Sequence, residues 1–85
     1  MINLNFRTRM LLLAIADDWK YIAKDEKNNA TKTPTISVFN SKPYKENGYW
    51  MPSSSAVEIQ DLLEKDDLFQ LDSNICYEIA DLIKK

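Results

Sequence analysis

Two carboxylate pairs, Glu58 with Asp61 and Glu78 with Asp81, stand three residues apart. On a helix that spacing projects both members of a pair from one face, where four such groups could hold a hard cation. The rest of the chain does not complete such a site. A bundle metal centre of the di-iron kind uses Glu-x-x-His, and a calcium loop needs a glycine at its tight turn. This chain has no histidine, and its one glycine, Gly48, lies outside the acidic segments. The run Ser53-Ser54-Ser55 raises a second chemistry, nucleophilic attack, which requires a neighbouring base and an oxyanion site. Without histidine, the run reads better as a helix start, because Ser55 and Glu58 form the S-x-x-E capping box. A single cysteine, Cys76, excludes an internal disulfide and a cysteine zinc site, and a single glycine excludes a phosphate-cradling loop. The expectation is a protein without catalysis, metal or cofactor. The absence of a disulfide framework points to a reducing, cytoplasmic setting.

The elements that must position these residues follow from periodicity. Eighty-five residues suit one domain, 1–85, with a single core. From Leu4 to about Lys24, Leu12, Ile15, Trp19 and Ile22 recur at helical steps with Ala16 and Ala23 beside them, which predicts a long first helix. The run Met10–Ala16 behind Arg7 and Arg9 imitates a secretory signal, but it is at the lower length limit and its stripe continues past Asp18, so it is expected to stay in the fold. Residues 24–34, with Asn28, Asn29 and Pro34, predict a turn. "TISVFN" predicts a strand, and Asn47-Gly48 a tight hairpin turn into a second strand, with Tyr44 and Tyr49 near each other across the ladder and Trp50 packed on the first helix. A second helix is expected over about Ala56–Lys65, ending before Asp66 and Asp67, whose charges suit no helix C-terminus. A last helix starts at Asp72 or Ser73. The fold class is therefore α+β in the order α-β-β-α-α: long N-terminal helix, two-stranded antiparallel hairpin, C-terminal αα-hairpin. "VEIQDLLEK" and "YEIADLIKK", from Val57 and Tyr77, share five positions, as two amphipathic helices with one packing task would.

The surface carries the functional expectation. A helical wheel puts Phe6, Met10, Leu13 and Tyr21 opposite the core stripe of the first helix, a second apolar face that suits a partner or a homodimer. Tyr44, Tyr49 and Trp50 are residue types enriched in binding hot spots. Eight Lys and Arg against five Asp and Glu through Met51 give +3, and three against eight from Pro52 onward give −5. The acidic half, with Glu58, Asp61, Glu64, Asp66 and Asp67, could compete for a basic groove on a nucleic-acid enzyme. The reading is a protein-binding module that occludes a partner protein, as inhibitors, immunity proteins and host-takeover factors of phages and mobile elements do. One alternative is a nucleic-acid binder using Arg9, Lys20, Lys24 and Lys27 on the first helix, Lys32, Lys42 and Lys45 beyond it, and the hairpin aromatics. The other is a homodimeric structural or adaptor protein. A membrane partner is not expected.

Overall fold

The computed structural model describes residues 2–26 and 34–84. It is α+β, but the order of elements departs from the expected one: α1 (Phe6–Ile15), β1 (Tyr21–Asp25), β2 (Thr35–Phe39), β3 (Tyr44–Glu46), β4 (Tyr49–Met51), β5 (Ala56–Glu58), a 3-10 turn (Gln60–Leu62), α2 (Lys65–Gln70), β6 (Cys76–Glu78) and α3 (Ile79–Ile83). The predicted turn at 24–34 and Lys27 and Lys32 of the basic array lie mainly or wholly outside the described residues.

Helix α1 starts where Asn5 caps it, its Oδ1 accepting from the Arg7 N–H at 2.7 Å. It is shorter than the periodicity suggests and ends in a turn over residues 16–18. Two exposed acids, Asp17 and Asp18, follow the helix end, where the helix dipole disfavours negative charge. Tyr21 and Ile22 then supply aromatic and β-branched side chains that suit a strand. Strand β1 takes an inner place in an antiparallel sheet of order β5-β2-β1-β6. Ile22 faces Val38 on one side and Tyr77 on the other, and Val38 in turn faces Val57. Leu12, Ile22, Ile36, Val38, Ile59, Leu71 and Ile79 form the buried core, with Ile15, Trp19, Tyr77 and Leu82 packed against it. Burying side chains of this size contributes about 1.5–3 kcal/mol each.

The αα-hairpin is replaced by strand-to-helix transitions at the two edges of the sheet. The shared segments occupy equivalent places: Val57-Glu58 ends β5 before the 3-10 turn, and Tyr77-Glu78 ends β6 before α3. The register is symmetric about the Ile22–Val38 pair. The Ile59 N–H donates to the Ile36 carbonyl at 2.8 Å and the Ile79 N–H to the Lys20 carbonyl at 2.9 Å, so each isoleucine leaves its strand through the same bond and enters the core. Ser55 is not a helix cap. Its N–H donates to Asn40 Oδ1 at 3.0 Å and its carbonyl accepts from the Asn40 N–H at 3.3 Å, so both groups hold the approach to β5.

Candidate interaction surfaces

Helix α1 sends Phe6, Met10 and Leu13, at positions i, i+4 and i+7, away from the sheet, and they are 74%, 48% and 58% exposed. The opposite side of the helix holds Thr8 and Leu12, both buried. The burial of polar Thr8 beside exposed Phe6 depends on a partner: the Thr8 hydroxyl donates to Asp67 Oδ2. A trough of about 320 Å³ runs beside the strip, lined by Phe6, Arg9, Met10, Leu13 and Ile83. Arg9, one of the lining residues, donates to the Leu82 and Ile83 carbonyls at the end of α3 at 3.5 and 2.9 Å. Tyr21, expected on this strip, lies in β1 because the helix ends before it; it lines a separate cleft with Trp19, Lys20 and Glu78.

The β3–β4 hairpin forms the second surface. Asn47 and Gly48 have φ of 53° and 84°, the left-handed pair that a two-residue hairpin turn requires. The register sets Tyr44 opposite Met51, Lys45 opposite Trp50 and Glu46 opposite Tyr49. Tyr44 and Tyr49 are thus diagonal neighbours on one face, while Lys45 and Trp50 share the other. That inner face is tied to the sheet and to the segment before β6, and does not rest on α1 as expected. The Trp50 N–H donates to Asp25 Oδ1 at 2.8 Å and its indole Nε1 to the Ser73 carbonyl at 2.9 Å. Lys45 Nζ donates to the same carbonyl at 2.7 Å and lies 5.3 Å from the Trp50 ring centroid. Trp50 is half-buried, whereas Tyr44, Tyr49 and Met51 are exposed. Met51 escaped the sequence reading, although alternation from Tyr49 places it on the same face.

The acidic residues divide. Glu58, Asp61 and Asp66 are exposed and Glu64 is half-buried. Asp67 is 2% exposed and is not a surface residue: its carboxylate accepts from Thr8, from the Asn5 N–H at 3.0 Å and from Gln70 Nε2 at 3.3 Å. Asp66 and Asp67 fall in the first turn of α2, where the dipole favours them. The carboxylate pairs are not helical pairs, since Glu58 and Glu78 end strands and Asp61 and Asp81 lie in the helical turns that follow. Among the described residues no group of three or more His, Cys, Asp or Glu is placed to hold a metal ion. Ser53 donates its hydroxyl to the Lys42 carbonyl at 2.7 Å.

The array of cations expected along the first helix is not assembled there, because α1 ends at Ile15. Lys24 is buried in β1, and Lys20, beyond the helix, donates to the Ala16 carbonyl at 3.0 Å. Cys76 is half-buried; burial raises its thiol pKa, which Lys42 lowers and Glu78 raises further. No helix among the described residues is long and apolar enough to cross a membrane. No protein-family model, curated protein or solved structure matches the chain.

Proposed function

We propose that this protein is a non-enzymatic binding module that covers part of another protein's surface with the outer face of its β3–β4 hairpin. One observation carries the reading. Lys45 and Trp50 fasten the inner face, so Tyr44, Tyr49 and Met51 are held outward on a fixed ribbon instead of collapsing onto the body. Aromatic side chains with few rotatable bonds, presented by a braced backbone, lose little entropy when a partner covers them. The exposed carboxylates Glu58, Asp61 and Asp66 favour a partner with a basic surface by raising its rate of encounter. A module of this size that covers a functional surface acts as an inhibitor by occlusion.

The test is capture of a partner from the source cell, followed by calorimetry with the purified pair. The double variant Tyr44→Ser/Tyr49→Ser should keep the circular dichroism of the parent and bind on the order of 100-fold more weakly, as hot-spot residues do. Unchanged affinity in a folded double variant would overturn the reading, as would an interaction insensitive to both the double variant and salt.

A further inference from the structure

We infer that α1 is the seam of a homodimer, in which two copies pack their α1 helices antiparallel about a two-fold axis near Met10. This does not depend on the hairpin reading, because it uses a different surface. The first argument is shape. A two-fold interface uses one patch twice, so a ridge must lie beside a groove that accepts it. Phe6, Met10 and Leu13 form the ridge, and the trough between this strip and Ile83 lies directly alongside.

The second argument is charge, and it selects a second copy as the occupant. Arg7 stands in the first turn of α1, which has no acidic residue, and the last turn has no basic residue. Beyond the last turn come Asp17 and Asp18, both exposed. Each end therefore carries the sign that its own helix dipole disfavours. Lys20, bonded to the Ala16 carbonyl, offsets the C-terminal mismatch in part. An antiparallel second α1 brings Arg7 of one copy beside the C-terminal end and the Asp17-Asp18 pair of the other, at both ends at once. A parallel pair would set like ends together. Arg7 is free to turn toward such a partner, since its pair with Glu64 is loose, at 3.8 Å, and the arginine side chain is 85% exposed. A ten-residue helix spans about 15 Å, so the seam is smaller than the roughly 800 Å² per partner of a standard stable interface, and the dimer is a weak one.

Sedimentation equilibrium of the full chain from about 10 µM to about 1 mM tests this directly. The mass should rise from 9.9 kDa toward twice that value. Leu13→Asp should hold it at the monomer value with unchanged circular dichroism; if that variant does not fold, Phe6→Ser at the most exposed position of the strip replaces it. Arg7→Glu should weaken the dimer by a factor on the order of ten, and Arg7→Glu/Asp17→Lys/Asp18→Lys should recover most of the loss. In a Cys76→Ser background, Met10→Cys should oxidise to a covalent dimer more readily than Leu13→Cys, because only a residue near the axis meets its own copy. A monomeric mass throughout, a dimer that survives Leu13→Asp, a triple variant no stronger than Arg7→Glu, or preferential cross-linking through Leu13→Cys would each overturn the proposal.

Discussion

The hydroxyl of Thr8 donates to the carboxylate of Asp67, joining two fully buried polar residues that are 59 positions apart in the chain. The same carboxylate accepts the Asn5 N–H, one of the orphan donors at the start of α1, and Gln70 adds a clamp on Asn3 through bonds of 2.6 and 3.0 Å. The α1–α2 junction is thus polar at its centre and apolar on the solvent side of α1. Asp67→Ala leaves the buried Thr8 hydroxyl and the part-buried Asn5 N–H without their acceptor and should cost about 2–3 kcal/mol, while Thr8→Val should cost about 1–2 kcal/mol. In the double variant the loss should fall well short of the sum, because both changes remove one interaction. Chemical denaturation of the four proteins measures this coupling, and additive losses would show that the pair is not an energetic unit.

Asn40 and Ser55 give a test that separates the observed β5 from the helix that the capping box implies. Ser55 acts through its backbone, whereas Asn40 acts through its side chain as well. Ser55→Ala should therefore change stability by less than about 0.5 kcal/mol, against the roughly 1 kcal/mol expected for loss of a helix cap. Asn40→Ala should cost about 1 kcal/mol by leaving the Ser55 N–H without its acceptor. Thermal melts that show the reverse ranking would place a helix start at Ser55.

The thiol of Cys76 is raised above its ordinary value, chiefly by burial. A thiol whose pKa is higher in the folded than in the unfolded chain favours folding below the unfolded value, near pH 8.5, and loses that contribution as pH rises through the folded value. Stability of the wild type should thus fall more steeply than that of Cys76→Ala above about pH 8.5, with parallel curves below it. Alkylation by iodoacetamide at pH 7 should also be slower than for an unfolded control. Equal alkylation rates would mean that the thiolate is as accessible in the fold as out of it.

The legible parts of this protein are those whose physics is local. Asn47-Gly48 forms the expected turn because positive φ is a property of the two residues themselves. Thr35–Phe39 is a strand as expected, although it pairs with β1 and β5 and leaves Tyr44–Glu46 to partner the strand after Asn47-Gly48; the wheel that puts Phe6, Met10 and Leu13 opposite Leu12 holds within the part of α1 that is helical. Helical stripes place Ile22, Ala23, Ile59 and Ile79 inside, where they are, but the stripes of the two expected C-terminal helices also place Leu62 and Ile75 inside, and these are 65% and 45% exposed because the helices carrying them do not form as expected. Ile15, Trp19 and Ile22 repeat at helical steps by coincidence, since the last residue of α1, the segment after the turn and a strand bring them to the same core. The acidic pair Asp66-Asp67 obeys the dipole rule, with the helix on its other side.

Composition and spacing settled which residues are apolar, where one turn must fall, and that histidine is absent while glycine and cysteine occur once each. They did not settle where β1, β5 and β6 lie. A three-residue strand is too short to show a period, and its hydrogen bonds go to residues that the chain reaches much later or left much earlier: Tyr77 beside Ile22, Val57 beside Val38. Folding chose between helix and strand for those segments because an edge strand completes the bonds of β1 and β2 as well as its own, a gain that no segment contains alone. The same non-local choice turned Asp67 inward to Thr8 and left Phe6 in the solvent.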